Sequence, residues 1–264
     1  MKQEVVYIMG VGHSGSTLLQ MLLSTHQDVV GIGEISLLIK NLLKSDSKIN
    51  EWPQCSCGSK VTDCEFWADI IKSFNSSESD IKLYKHIIEH FSNKFPNKLL
   101  VDSSKNLLSF KKFYSSQLIN DVDVKVIFLV RDFRSWVLSR EKNNKRKKRK
   151  DYGMIFNAHK WYYRNIKKLN YLQNQKLSYI TISYEDLVLN KVKTLNRLSK
   201  FLNLNGSTWD IGHATMHDVY GNRMKDKALK QFFYNNQWMK SSKMAYLAPF
   251  LVLPYSLNNK LYKQ

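Results

Sequence analysis

The chain has 264 residues, of which 43% are hydrophobic, and carries a formal net charge of +19 at pH 7. This content suffices for a full hydrophobic core, and no apolar run approaches the roughly 18 residues that a membrane span needs. A strand begins almost at the first residue, so we expect no signal peptide and a cytoplasmic location. The positive charge favours an anionic ligand, a polyanionic acceptor, a nucleic acid or contact with an acidic membrane surface, without choosing among them.

Strand and helix patterns alternate along the chain. The predicted strands are 5–9, 98–101, 124–130 and 177–182, and the predicted helices are 16–25, 35–43, 65–74, 82–95, 105–118, 135–143, 156–172 and 191–202. The continuous apolar run at 126–130 is typical of a central parallel strand covered on both faces. The pattern predicts one α/β domain over 1–264, with a central parallel sheet flanked by helices and ligands bound at the carboxyl ends of the strands. The polar segment 45–80 is interpreted as an insertion near the site mouth.

A glycine-rich loop connects the first strand to the first helix. Residues 10–17 read Gly-Val-Gly-His-Ser-Gly-Ser-Thr, and a loop of this kind directs backbone N–H groups and a helix N-terminus at one anion. The spacing is that of a P-loop, but Ser16 and Thr17 stand where a nucleoside triphosphatase has Lys followed by Ser or Thr. The loop therefore predicts a P-loop-like core for an anionic nucleotide other than ATP or GTP.

A second candidate anion site follows the central strand. Arg131 stands at the end of this strand, and Ser139 lies about two helical turns further on. A guanidinium and a hydroxyl suit a second phosphate. The alternative is that Arg131 and Asp132 form a helix-capping ion pair while Ser139 is solvated.

Three cysteines, Cys55, Cys57 and Cys64, fall within ten residues. The Cys-x-Cys spacing is tight for a zinc knuckle, and no fourth ligand lies at the usual distance along the chain. We therefore expect a structural loop, with a reversible disulfide as one possibility, and no metal site.

Several motifs together make this chain resemble the sulfotransferases that use 3′-phosphoadenosine-5′-phosphosulfate (PAPS). Besides the loop and the Arg131–Ser139 stretch, they are Cys-Ser-Cys-Gly at 55–58, Cys-Glu-Phe-Trp at 64–67, Val-Asp-Ser-Ser-Lys at 101–105, Tyr-Glu-Asp-Leu at 184–187 and Gly-Asn-Arg at 221–223. The likeness is to the bacterial and carbohydrate-type branch, and the N-terminal third also resembles the tyrosyl-protein sulfotransferases. It implies transfer of a sulfuryl group to a hydroxyl, without the magnesium clamp that phosphoryl transfer requires.

The resemblance assigns the donor-binding residues. The 5′-phosphosulfate is expected on the loop and the 3′-phosphate on the stretch after the central strand, with adenosine 3′,5′-bisphosphate as product. Tyr184, Asn222 and Arg223 are secondary candidates for the adenine end and the 3′-phosphate; alternatively Tyr184 is a packed tyrosine at a helix start and 221–222 an ordinary turn. The donor-binding set is Gly12, His13, Ser14, Gly15, Ser16, Thr17, Arg131, Ser139, Tyr184, Asn222 and Arg223.

Three residues are candidates for catalysis. The resemblance implies that Glu34 is the general base on the acceptor hydroxyl and that Lys105 stabilises the leaving group. His13 stands where many relatives have arginine, and we expect turnover to depend on pH between roughly 6 and 8 through its titration. The alternatives are that Glu34 caps the helix at 35, that Lys105 is a surface lysine beside a capping turn, and that His13 faces solvent.

The basic run 145–150 lies within a predicted loop, 141–153. It is interpreted as a solvated loop, with steering of an anionic acceptor as the functional alternative. The favoured acceptor is a hydroxyl on a carbohydrate or glycoconjugate, and protein tyrosine or a small alcohol is the alternative. Two rival functions are a nucleotide kinase with an aberrant loop and a non-catalytic nucleic-acid-binding protein that uses the basic run; no specific nucleic-acid motif supports the latter.

Overall fold

The computed structural model describes residues 2–44, 49, 51–74, 78–115 (the backbone alone for 115), 122–204, 209, 213–220, 234 and 236–262. Five strands and eleven α-helices lie in these ranges. The strands are β1 (Gln3–Gly10), β2 (Val29–Gly33), β3 (Leu99–Lys105), β4 (Val122–Val130) and β5 (Tyr179–Ser183). The helices are α1 (Ser16–Leu23), α2 (Ile35–Leu42), α3 (Trp67–Lys72), α4 (Asp80–Lys94), α5 (Leu107–Ser115), α6 (Phe133–Arg146), α7 (Met154–Asn174), α8 (Tyr184–Leu189), α9 (Lys191–Leu202), α10 (Ser242–Tyr246) and α11 (Val252–Tyr262).

The strands form one parallel sheet in the order β2-β3-β1-β4-β5. Because all strands point the same way, their carboxyl ends meet at one edge, where the loop after β1 and the residues after β2, β3 and β4 lie side by side. The predicted single α/β domain with a central parallel sheet and a P-loop-like core is confirmed.

Side chains of the strands alternate between two buried layers, as the two-residue strand period requires. In β1, Val6 and Ile8 pack with α1 and α9, whereas Val5, Tyr7 and Met9 pack on the opposite face with α5 and α7. Residues 126–130 of β4 are all fully buried. Both faces are therefore covered, which explains why this strand reads as an uninterrupted apolar run.

The structure differs from the sequence prediction in several elements. Strand β2 was not predicted because two of its five residues are glycine, which lowers strand propensity; α8, α10 and α11 were also not assigned. Residues 144–146, which follow the predicted helix 135–143 and were assigned to the basic loop, form the last turn of α6, whose terminal Lys145 and Arg146 complement the negative end of the helix. The described residues of the predicted insertion are 49, 51–74 and 78–80. Residues 51–74 carry α3, bury Phe66 and Trp67 in the core and line neither cavity described below, whereas Asp80 lines the smaller one.

Among the described residues, no helix combines the length and the apolar character needed to cross a membrane. The cytoplasmic location expected from the sequence stays a prediction.

Candidate active site

The loop after β1 forms a cradle that leads into α1. His13 and Gly15 adopt positive φ angles of 73° and 94°, and α1 begins at Ser16 without a side-chain cap. The N–H groups of its first turn therefore have no partner within the helix. The Ser14 side chain is fully buried, and its hydroxyl has no hydrogen-bond partner among the described residues. Unpaired donors at a helix N-terminus are suited to an anion.

Helix α6 and Arg131, two residues before its start, hold the loop from outside. The Trp136 indole N–H donates to the Gly12 carbonyl oxygen at 2.6 Å, and the Arg131 guanidinium donates to the His13 carbonyl oxygen at 3.1 Å. Two loop carbonyls are thus engaged by side chains. This fixes the loop conformation before any ligand binds.

Arg131 does not form the capping pair that was the alternative from sequence. Asp132 caps α6 by accepting from the Arg134 N–H at 2.9 Å and pairs with the Arg134 guanidinium at 2.6 Å. Arg131 instead lies over the Tyr184 ring, 4.4 Å from its centroid. The same ring covers Gly15, where an added Cβ would lie 2.5 Å from a ring carbon. Arg131 and Tyr184 therefore support the loop from behind.

Glu34 and Lys105 meet at the carboxyl ends of β2 and β3. The Lys105 ammonium lies 2.5 Å from a Glu34 carboxylate oxygen, and the two side chains are only 16% and 19% exposed. Glu34 makes no side-chain cap to α2, so the capping alternative is wrong, as is a surface position for Lys105.

A buried carboxyl group fixes the two backbones that carry this pair. Asp102 accepts hydrogen bonds from the N–H and hydroxyl of Ser104, from the N–H of Ile35 and from the Tyr84 hydroxyl. Burial raises the pKa of Asp102 to about 6. Because Ile35 follows Glu34 and Ser104 precedes Lys105, Asp102 sets the relative position of the two candidate catalytic residues.

A cavity of about 770 Å³ brings most of the predicted residues together. Its lining includes Gly12, His13, Gly15, Ser16, Thr17, Glu34, Lys105 and Ser139. Ser14, Arg131 and Tyr184 lie behind the loop and do not line this cavity, and Asn222 and Arg223 lie outside the described residues. Ser139 is partly exposed and lines this cavity, so its role at the second phosphate stays a prediction.

Besides Leu18, four polar lining residues were not predicted as site residues: Lys142, Asn143, Arg146 and Lys147. Steps of three, four, seven and eight residues from Ser139 place them on its face of α6 and at the following residue. This helical spacing was readable in the sequence. With Lys105 they supply four cations against one carboxylate, Glu34, among the described lining residues, so the cavity favours a multiply anionic ligand.

His13 lies among these cations. Its imidazole Nε2 is 3.4 Å from the side-chain nitrogen of Asn143. Burial, together with the charges of Arg140, Arg131, Lys147 and Lys105, lowers the pKa of His13 to about 4. In the ligand-free protein the imidazole is therefore neutral between pH 6 and 8, and the pH dependence of turnover through His13 in that range stays a prediction for the complex with the donor.

A second cavity, of about 520 Å³, lies between α2, α4 and α5. It shares one lining residue with the first cavity, Glu34. Its described wall combines apolar side chains with hydroxyl, amide, lysine and carboxylate groups: Ser36, Leu37, Ile39, Lys40, Leu43, Lys44, Asp80, Ile81, Tyr84, Ser104, Asn106, Leu108, Ser109, Lys112 and Phe113. The Lys112 ammonium pairs with the Asp80 carboxylate at 2.7 Å. The size suits a small molecule whose reacting group would lie at Glu34.

Fold and site together describe an α/β protein with a cation-lined cavity beside a paired carboxylate and amine. The family model described as "Sulfotransferase family" matches residues 5–210. The chain belongs to the sulfotransferase family, as the sequence motifs predicted.

Solved sulfotransferase structures share this fold. The sulfotransferase domain from the curacin biosynthetic pathway is 20% identical, with a TM-score of 0.56 over 95% of this chain and 98% of that chain. The sulfotransferase domain of the Synechococcus PCC 7002 olefin synthase is 17% identical, with a TM-score of 0.55 over 99% and 96%. Mouse sulfotransferase SULT7A1, determined in complex with PAP, is 11% identical, with a TM-score of 0.51 over 100% and 88%. A comparison with curated protein sequences finds no match.

Proposed function

We propose that this protein transfers a sulfuryl group from PAPS to an acceptor hydroxyl. The observation that carries the proposal is the position of Glu34 and Lys105. The pair lies where a cation-lined cavity with a P-loop-like cradle meets a second cavity of small-molecule size. A donor bound in the first cavity and an acceptor bound in the second would meet at this pair.

The cradle and the cationic wall fit such a donor. The N–H groups of the loop and the hydroxyls of Ser16 and Thr17 would hold the 5′-phosphosulfate. Ser139 and the cations of α6 face the same cavity and would hold the 3′-phosphate. Arg131 and Tyr184 were assigned to the 3′-phosphate and the adenine end, but we now assign them to support of the loop that carries the donor. Asn222 and Arg223 keep their proposed roles at the adenine end and the 3′-phosphate. PAP in the mouse structure is consistent with this donor.

The chain's own groups supply the proton transfer and the charge stabilisation. PAPS, when bound, supplies the sulfuryl group and leaves as adenosine 3′,5′-bisphosphate. Glu34 would accept the proton of the acceptor hydroxyl, since its carboxylate faces both cavities. Lys105 would stabilise negative charge on the departing phosphate oxygen. The ion pair holds the Lys105 side chain beside Glu34 until the donor competes for it.

The acceptor cavity supports a hydroxyl compound of limited size. Its hydroxyl and amide side chains and three lysines suit a carbohydrate, including an anionic one, which we keep as the first candidate. Its apolar side chains favour the alternative of a small alcohol with a hydrophobic portion. A product assay that compares sugars, acidic sugars, apolar alcohols and a tyrosine peptide would decide between these classes.

Donor binding is tested by calorimetric titration with adenosine 3′,5′-bisphosphate in magnesium-free buffer. We expect micromolar binding by the wild type and a loss of at least tenfold in Arg131→Ala, because the loop loses its support. The matched control is Arg197→Ala, whose guanidinium bonds the Thr181 carbonyl and lines neither cavity. Absence of binding by folded wild type would overturn the donor assignment, and duplex DNA in the same assay tests the nucleic-acid alternative.

The catalytic roles are tested by turnover of an accepted substrate. Lys105→Ala and Glu34→Gln should each lower kcat by roughly 10²–10⁴-fold while changing donor affinity only a few-fold. Lys98→Ala is the control, because Lys98 lies beside the opposite end of β3 and pairs with Asp28. Loss of donor binding with unchanged kcat at saturation would refute the transition-state role of Lys105.

A further inference from the structure

The three cysteines and one distant histidine form a single cluster behind β2. The ligand atoms of Cys55, Cys57, Cys64 and His217 all lie within 4.8 Å of one another. The sequence analysis expected no metal because no fourth ligand lies near the cysteines. His217 lies 153 residues after Cys64, so spacing along the chain could not reveal it.

The distances fit a tetrahedral ion. Cys64 Sγ lies 3.6 Å from Cys55 Sγ, 3.7 Å from Cys57 Sγ and 3.4 Å from His217 Nδ1. Zinc bonds of about 2.3 Å to sulfur and 2.0–2.1 Å to nitrogen, at tetrahedral angles, separate two sulfurs by about 3.8 Å and a sulfur from a nitrogen by about 3.5 Å. The three distances from Cys64 therefore match those of such a site, and the remaining pairs of ligand atoms lie within 4.8 Å.

The backbone around the cysteines is arranged to receive thiolates. Residues 55–59 form a tight turn in which the Gly58 N–H donates to the Cys55 carbonyl at 2.9 Å and Gly58 has a φ of 92°. The N–H groups of Phe66 and Trp67 point at Cys64 Sγ, and the Cys57 N–H points at Cys55 Sγ. N–H donors directed at sulfur stabilise the negative charge that a zinc-bound thiolate carries.

His217 is oriented as metal-binding histidines are. Its ring packs against those of Phe66 and Phe95, at centroid distances of 5.6 and 5.7 Å, and the two phenyl rings also contact each other at 5.9 Å. A Glu65 carboxylate oxygen lies 3.4 Å from Nε2. Nε2 makes no hydrogen bond within the described part of the protein, and closure of the Glu65 carboxylate onto it would hold a proton there and leave Nδ1, the atom 3.4 Å from Cys64 Sγ, free to bind a metal.

We propose that Cys55, Cys57, Cys64 and His217 bind one Zn²⁺ in a closed structural site. Three thiolates and one imidazole complete a tetrahedral shell with no open position, which is the pattern of structural rather than catalytic zinc. The residues flanking His217 pair with β2: the Gly31 N–H donates to the Thr215 carbonyl at 3.1 Å, and the His217 N–H to the Gly31 carbonyl at 2.7 Å. The ion would thus fasten two distant parts of the chain to the strand that ends at Glu34.

The test is metal analysis of wild-type protein purified without chelators. We expect one zinc per chain by elemental mass spectrometry and three cysteines that react with a thiol reagent only after zinc is removed. Cobalt substitution should give the visible d–d bands and the thiolate-to-cobalt charge-transfer absorption of a tetrahedral sulfur-rich site. These readouts need no activity assay and no variant.

Variants then assign the ligands. Cys64→Ser and His217→Gln should lose the zinc and the cobalt spectrum, whereas the control His159→Gln, which alters a histidine bonded to the Phe250 carbonyl, should keep both. Glu65→Ala should keep the cobalt spectrum but bind zinc 10–100-fold more weakly in competition with a chromogenic chelator. A metal-free wild type with a cysteine disulfide, or one with three freely reactive thiols that takes up neither zinc nor cobalt at micromolar concentration, would overturn the proposal.

Discussion

The neutral state of His13 makes donor binding depend on protons below neutral pH. Burial and four nearby cations hold the pKa of this imidazole at about 4 in the ligand-free protein. A bound bisphosphate would offset these cations, and we expect the pKa to return towards its ordinary value of about 6.5. Binding of the anion would then be accompanied by uptake of a proton.

The size of this effect follows from the two pKa values. With about 4 in the free protein and about 6.5 in the complex, binding is about 30-fold tighter at pH 5 than at pH 8. The comparison variant is His13→Asn, because His13 has a φ of 73° and asparagine tolerates this backbone conformation. Protonation of the bisphosphate itself changes the affinity of both proteins equally. The ratio of the wild-type affinity to the His13→Asn affinity at each pH therefore reports the contribution of His13 alone.

The assay is calorimetry with adenosine 3′,5′-bisphosphate from pH 5 to 8, in buffers of different ionisation enthalpy. Wild type should take up most of one additional proton per ligand near pH 5, relative to His13→Asn. Without ligand, the unfolded chain binds this proton more readily than the folded protein, so His13 should reduce stability as pH falls from about 6.5 to 4. Identical pH profiles and proton uptake in the two proteins would refute the reasoning.

Three further predictions concern the cavity and its supports. In calorimetry at two ionic strengths, Arg146→Ala should weaken bisphosphate binding by about tenfold and reduce the salt dependence of binding. Lys150→Ala alters a residue outside the described cavity wall and should change neither quantity. Between about pH 4 and pH 6 the folded protein keeps a proton on Asp102, whose pKa is about 6, whereas the unfolded chain has already released it. The free energy of unfolding should therefore fall by about 3 kcal/mol as the pH rises through this range. Urea denaturation of Asp102→Asn should show no such fall. Gly15→Ala places a Cβ against the tyrosine ring behind the loop and should weaken bisphosphate binding at least tenfold, while Gly153→Ala, which has a positive φ but no atom within 4 Å, should bind normally. These assignments would be contradicted if Lys150→Ala weakened binding as much as Arg146→Ala, or if Gly153→Ala weakened it as much as Gly15→Ala. They would also be contradicted if Asp102→Asn showed the same pH dependence of stability as the wild type.

Much of the sheet and its ligand edge could be predicted because their signals are local. The run 126–130 and the glycine loop each lie within ten residues, and the strand period and loop spacing are written directly in the sequence. Strand β2 was missed because its extended conformation is stabilised by pairing with β3. This pairing offsets the low strand propensity of the two glycines in β2. Pairing between strands that are distant along the chain cannot be detected in a short segment of the sequence.

The candidate site divides in the same way. The resemblance placed Glu34 and Lys105 near the reaction, and the structure brings them to 2.5 Å. Arg146 was assigned to a solvated loop although its spacing from Ser139 is helical, because the basic run obscured the end of α6. His217 could not have been found, since its partners lie more than 150 residues away along the chain.

The single residue shared by the two cavities has a consequence for how such an enzyme can diversify. Glu34 is the one described side chain common to both walls, and the acceptor wall is otherwise built from α2, α4 and α5 together with the end of β3. Substitutions on those helices can reshape the acceptor pocket without altering the loop after β1 or the cations of α6. The architecture therefore allows new acceptors to be selected, in evolution or in the laboratory, while the chemistry of the donor is inherited unchanged.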